Sequence, residues 1–183
     1  TVQSGDADLI QASANNYYGK GVTQKEAETF YAKMKMGKDT ISPISYGLNS
    51  RLVKENGKLM EKVWKVGGVY SAAIEKIVAE LQKAIPFAEN EAQKAIIEKL
   101  IEYYQTGDLK AFDAYSILWV KDTVSDVDFV NGFIETYGDP FGMKASWESV
   151  VNFINKEATK RTKVISDNAQ WFEDNSPVDA RFK

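Results

Sequence analysis

The 183-residue sequence contains neither cysteine nor histidine. Without cysteine there can be no disulfide and no thiolate nucleophile, and without either residue there can be no Cys/His zinc site. The Ser-His-Asp and Cys-His catalytic arrangements are excluded for the same reason. We therefore expect no metal site in this chain of the usual zinc type, and any bound metal would need oxygen ligands alone, as calcium and magnesium do.

The sequence also has no excess of basic residues and no long run of apolar residues. The formal net charge is −3, so the composition gives no reason to expect a nucleic acid or an anionic membrane as partner. No apolar run approaches the roughly 18–20 residues that cross a bilayer. The opening stretch "TVQSGDADLI" has no initiator Met and no basic-then-apolar signal pattern. We expect a soluble protein, with a slight preference for the cytoplasm and no assignment of compartment.

The hydrophobic pattern predicts an α+β fold that is predominantly helical, with a small β-sheet. Asn56-Gly57 between two β-compatible runs is the strongest short signal for a hairpin, placed near 47–66. A run rich in β-branched and aromatic residues predicts a further strand near 127–137. The spacing of apolar residues after it predicts one long C-terminal helix near 144–172.

Helix boundaries are marked clearly at several other places. Thr23 followed by Glu26 has the spacing of a capping box, so a helix should begin after Thr23. Pro86 should stop the helix that starts near Tyr70. The segment "DADLIQASANNYYGKG" predicts an earlier helix that ends near Gly19 or near the glycine two residues beyond it.

Glu135 and Tyr137 are the candidate functional residues. They lie two apart in a run that otherwise reads as a buried strand, and residues two apart in a strand point to the same face. A carboxylate drawn into a sheet core is costly unless it is paired, so Glu135 should lie at an edge, in a cleft or against a cation. The alternative is that Glu135 reaches solvent while Tyr137 packs. A hydrolase that pairs Glu135 with Asp139 is disfavoured, because Asp139 before Pro140 is typical of a turn.

Four stretches resemble one known family. "NGFIETYGDPFGMKASWESVVNF", with "WVKDTVSDVDF" before it, is similar to a stretch of the dipeptidyl peptidase III family, zinc metallopeptidases that remove dipeptides from peptide N-termini. "LNSRLVKENGKLMEKVWKV" and "YYGKGVTQKEAETF" resemble further segments of that family. Its members are several times longer and hold zinc through a His-Glu-x-x-Gly-His type motif that this chain lacks. The resemblance therefore implies a fragment without the zinc-bearing region.

The resemblance also implies roles. Glu135 would bind the free N-terminal ammonium of a peptide substrate, and Tyr137 would be the catalytic residue that stabilises the oxyanion. Residues 1–142 would belong to the substrate-binding lobe, and 143–183 would lead toward the missing zinc-bearing lobe of the same polypeptide. The parent would be a zinc-dependent hydrolase, and this chain alone would be inactive, with no cofactor of its own. The alternative is a self-standing, non-catalytic helical binding module on a peptidase-derived scaffold. In a fragment, apolar surface that had contacted the missing lobe would be exposed and would favour a dimer.

Overall fold

The computed structural model describes residues 1–14 and 16–182, and within them it has seven α-helices and two two-stranded antiparallel sheets. The predicted α+β class with a predominance of helix is thereby confirmed. The helices are α1 (Leu9–Ala12), α2 (Gln24–Lys35), α3 (Ser71–Ala84), α4 (Glu91–Thr106), α5 (Leu109–Lys121), α6 (Lys156–Asp167) and α7 (Ala169–Asp174). The strands are β1 (Ser50–Glu55), β2 (Lys58–Val63), β3 (Val127–Glu135) and β4 (Ser146–Phe153).

The predicted hairpin is present as β1 paired with β2. Glu55 lies opposite Lys58, so the loop is only two residues long. Those residues, Asn56 and Gly57, both have positive φ angles, of 50° and 75°. A two-residue turn of this type matches the right-handed twist of the strands, and Asn-Gly is its preferred sequence.

The predicted N-terminal helix is wrong beyond its first turn. Helix α1 ends at Ala12, although Asp8 caps its start; Asn15, which falls within the prediction, lies outside the described residues. The chain then runs extended along β1, where the Gly19 amide donates to the Leu52 carbonyl at 2.7 Å and the Leu52 amide donates to the Tyr17 carbonyl at 3.0 Å. The open edge of the hairpin thus supplies hydrogen bonds that local propensity could not reveal.

The middle helices follow their sequence signals. Thr23 and Glu26 form both hydrogen bonds of the capping box at the start of α2. Helix α3 ends just before a single 3₁₀ turn that contains Pro86, and α4 ends at Thr106, with Gly107 as its C-cap at a φ of 70°. Helices α3, α4 and α5 bury their apolar faces to form the helical core, which includes Ile74, Val78, Ile96, Ile97, Leu100, Ile101, Tyr103, Tyr104 and Tyr115.

The first part of the predicted C-terminal helix is wrong. Residues 146–153 form β4, which pairs with β3, and helix begins only after Asn155, whose side chain accepts from the Ala158 amide at 3.0 Å. Trp147, Val150 and Val151 have helical spacing, but they are aromatic or β-branched and therefore suit a strand. These residues form a strand and not a helix because they pair with the edge of β3. The later part of the prediction holds, with α6 and α7 separated at Asn168.

The chain divides into two compact units. One contains Thr1–Ser125 and Val130–Val150, and the other contains Asp126–Phe129 and Val151–Lys183. The smaller unit leaves many apolar side chains exposed, among them Val151, Phe153, Ile154, Val164, Ile165, Trp171 and Phe172. The expected dimer and the expected lobe boundary at 142/143 both stay predictions. Among the residues described, no helix has the length and apolar character needed to cross a membrane.

Candidate functional site

Glu135 and Tyr137 lie at the point where β3 ends. Glu135 is the last residue of the strand and is half-buried. Tyr137 lies beyond the strand, in the turn that follows, and its side chain is 82% exposed. Tyr137 therefore does not pack into a core. Because the strand stops at Glu135, strand alternation does not fix the direction of the Tyr137 side chain, and their sharing one face stays a prediction.

The turn that carries Tyr137 is held from within by Asp139. The Asp139 amide donates to the Thr136 carbonyl at 3.1 Å, which closes the turn around Tyr137. The Asp139 carboxylate is fully buried, and its Oδ2 accepts from the amides of Met143 at 2.8 Å and Lys144 at 3.0 Å. These bonds support the interpretation of Asp139 as a turn residue and argue against its pairing with Glu135 in a hydrolase.

Glu148 is a neighbour of Glu135 that the sequence did not reveal. It is the half-buried residue of an otherwise exposed β4, and its carboxyl group lies in hydrogen-bonding reach of Glu135. The contact with Glu148 raises the pKa of Glu135 above its usual value, first through that hydrogen bond and further through partial desolvation and like-charge repulsion. Sequence reasoning missed Glu148 because it assigned residues 144–172 to a helix.

A groove of about 480 Å³ opens at the turn that follows β3, although neither Glu135 nor Tyr137 lines it. Thr136, which separates Glu135 from Tyr137, lines this groove together with Gly142 and Met143 from the same turn. The opposite wall comes from residues 35–48, with Ile44 and Leu48 among its apolar members. The end of β3 is therefore accessible to a ligand rather than sealed in a core.

No candidate metal site is found among residues 1–14 and 16–182, since no three or more acidic side chains there come together as a ligand set. The residues described therefore do not fit a zinc ion.

Comparison with known proteins identifies the family. The family model "Peptidase family M49" matches residues 44–183. Dipeptidyl peptidase 3 of Dictyostelium discoideum is 33% identical over 118 residues, which is 64% of this chain and 17% of that protein. Human dipeptidyl peptidase 3 is 31% identical over 103 residues, which is 56% of this chain and 14% of that protein.

Two solved structures share the fold. Dipeptidyl-peptidase III from Corallococcus sp. strain EGB superimposes with a TM-score of 0.59 at 20% identity, over 90% of this chain and 29% of that one. DPP III from Caldithrix abyssi gives a TM-score of 0.61 at 20% identity, over 91% of this chain and 30% of that one. The match spans less than a fifth of each of the two curated relatives described above. With its family model matched over more than half of its length, the chain belongs to peptidase family M49.

Proposed function

We propose that this chain supplies the substrate-binding strand end of a dipeptidyl peptidase of the M49 family. Glu135 binds the free N-terminal ammonium of a peptide, and Tyr137 donates a hydrogen bond to the carbonyl oxygen of the bond that is cut. The zinc that the family uses would be held by residues outside this sequence.

The observation that carries the proposal is the exposure of Tyr137 on an anchored turn. The ring is 82% exposed, yet the residue two positions later, Asp139, is fully buried and hydrogen-bonded to two backbone amides. The turn is thus fixed while its phenol remains free to reach a ligand. A free phenol is a suitable donor to a developing oxyanion, and a preorganised donor of this kind is worth about 2.7–4 kcal/mol in the transition state.

The spacing of the two residues fits removal of a dipeptide. Glu135 and Tyr137 are two residues apart, so their Cα atoms lie no more than roughly 6–7 Å apart, the span of two fully extended residues. An extended dipeptide places its ammonium and its second carbonyl a similar distance apart. A peptide lying along the strand end would therefore bring its ammonium to Glu135 and its second carbonyl to Tyr137.

The contact between Glu135 and Glu148 supports the assignment of Glu135 as the ammonium ligand. The pKa of Glu135 is raised first by its hydrogen bond with the Glu148 carboxyl group, then by desolvation, and last by the repulsion between the two groups when both are ionised. A bound ammonium relieves that repulsion and forms charge-assisted hydrogen bonds with the carboxylate. The site therefore favours a free amine over a neutral, blocked N-terminus.

The test uses the full-length product of the gene that encodes this chain. Glu135→Gln and Tyr137→Phe should each lower kcat/KM on a dipeptidyl-arylamide by about 10²-fold, from the loss of a charged contact and of an oxyanion donor respectively. Zinc content should be unchanged in both variants, which separates substrate binding from loss of metal.

Matched controls are available in α3 and at its start. Glu80→Gln changes an exposed glutamate paired with Lys83, and Tyr70→Phe changes an exposed tyrosine; both should retain full activity. Near-normal turnover of Glu135→Gln and Tyr137→Phe would contradict the proposal. So would a reading frame that stops at residue 183, without a His-Glu-x-x-Gly-His motif beyond it.

A further inference from the structure

Lys144 places a fully buried ammonium group at the end of the turn that presents Tyr137. Its Nζ donates to the Tyr31 hydroxyl at 2.6 Å and to the Ser50 carbonyl at 2.9 Å, and it lies 3.2 Å from Ser50 Oγ and 3.3 Å from the Gly47 carbonyl. An ammonium has three hydrogens, so these acceptors satisfy it. The ring of Tyr31 adds a cation–π contact at 5.0 Å.

The same network ties the Lys144 ammonium to α2 and to the hairpin. The Tyr31 hydroxyl, from α2, donates to Glu61 at 2.8 Å, and Ser50 Oγ, from β1, donates to the same Glu61 oxygen at 2.5 Å. Glu61 belongs to β2. Helix α2 and the hairpin, both distant in sequence from Lys144, therefore meet around this one lysine side chain.

The backbone of the turn is fixed at the same place. Asp139 accepts from the Lys144 amide, and the next amide, of Ala145, donates to the Leu48 carbonyl at 3.0 Å. Tyr137 lies between the end of β3 at Glu135 and this anchored stretch. A shift of the Lys144 side chain would therefore move the base of the turn that carries the phenol.

A buried lysine is not the most stabilising choice at such a position. Well-packed apolar residues of similar volume are often as stable as buried ionic groups, or more so, whereas directed polar networks specify one arrangement. We propose that Lys144 is a positioning residue, which ties the turn of residues 136–144 to α2 and the hairpin and so holds the Tyr137 phenol where it acts on the substrate carbonyl. This inference rests on the proposed function.

A double-mutant cycle in the full-length gene product tests the inference. The four proteins are the wild type, Lys144→Met, Tyr137→Phe and the double variant, and kcat and KM are measured on a dipeptidyl-arylamide. Lys144→Met should lower kcat about tenfold or more with little change in KM, because the ammonium site at Glu135 is retained. In the Tyr137→Phe background the same change should lower kcat by less than about twofold, since residues that act through one another are not additive.

The outcomes separate the inference from the proposed function. If the losses of the two single variants multiply in the double variant, Lys144 does not act through Tyr137 and the inference is wrong, while the proposed function stands. If Tyr137→Phe alone is neutral, the proposed function fails and the inference fails with it. Lys83→Met, which changes an exposed lysine of α3, is the control and should leave kcat unchanged.

A milder variant provides a second test in case Lys144→Met fails to fold. Tyr31→Phe keeps the ring beside the ammonium and removes only the hydroxyl, which is the closest acceptor of Lys144 and a donor to Glu61. It should lower kcat in the same direction by about two- to fivefold, and this loss should also vanish in the Tyr137→Phe background. An unchanged kcat in Tyr31→Phe, with Lys144→Met unfolded, would overturn the inference.

Discussion

The charge of Lys144 should make the stability of this protein rise with pH in the alkaline range. Burial lowers the pKa of Lys144 from 10.5 to about 8, although Glu61 and Asp139 act in the opposite direction. Between pH 8 and 10.5 the unfolded chain therefore binds a proton at this lysine that the folded chain has released. Stability rises with pH wherever the unfolded state binds more protons. Below pH 8 the folded protein must bury the ammonium.

The magnitude follows from the difference between the two pKa values. One pKa unit is worth about 1.4 kcal/mol, so the lowering of the Lys144 pKa corresponds to about 3 kcal/mol. This gain should begin near pH 8 and be complete near pH 10.5. Buried tyrosines oppose it at the upper end, because burial raises the pKa values of Tyr18, Tyr31 and Tyr103 above the ordinary value of 10. Ionisation of these tyrosines in the unfolded chain should lower stability above pH 10.

Urea denaturation at pH values from 7 to 10 measures this effect. The wild type should gain stability between pH 8 and 10, and Lys144→Met should lose that gain while Lys83→Met keeps it. The slope of stability with pH is the quantity to compare, since Lys144→Met also removes, at every pH, a hydrogen-bond donor to the Ser50 and Gly47 carbonyls. Equal slopes in the wild type and Lys144→Met would refute the assignment of the buried charge.

Three further predictions concern the site, a helix end and a cap. Glu148→Gln removes the carboxyl group whose hydrogen bond and charge raise the pKa of Glu135, so the acid limb of the pH profile of kcat/KM should move to lower pH; an unmoved limb would show that the two carboxyl groups do not interact. Gly107→Ala should destabilise the protein by about 2–4 kcal/mol in the same denaturation assay, because the residue has a φ of 70° and the added Cβ would lie only 2.6 Å from a Val63 methyl. Its control, Gly37→Ala, has a similar φ of 68° but open space around the added Cβ, and should cost about 1 kcal/mol. Thr23→Ala removes the N-cap of α2 and should cost about 1 kcal/mol, and no loss would mean that water replaces the cap.

The elements that could be predicted from the sequence are those determined by local chemistry. Asn56-Gly57 supplies two residues that tolerate positive φ, which is enough to specify a two-residue hairpin turn. Thr23 and Glu26 satisfy each other across one turn of backbone, so the start of α2 needs no distant partner. Such signals act within four residues and are visible in the chain itself.

The elements that could not be predicted depend on a partner far away in sequence. The apolar residues of β4 fit helical spacing as well as they fit a strand, and only the edge of β3 decides between them. The stretch around Tyr18 is extended because β1 offers it hydrogen bonds. The contact between Glu135 and Glu148 could not be predicted, because Glu148 was assigned to a helix and not to β4. The burial of Lys144 could not be predicted either, because it depends on α2 and the hairpin, and no spacing in the sequence shows that these elements meet Lys144.

The central claim is that Glu135 recognises a free peptide N-terminus. The most direct measurement is the ratio of kcat/KM for a dipeptidyl-arylamide to that for its N-acetylated form, in the full-length gene product and in its Glu135→Gln variant. The account predicts a large ratio for the wild type and a ratio near one for Glu135→Gln, because the variant loses the anion that distinguishes an ammonium from an amide. An equally large ratio in both proteins would contradict it.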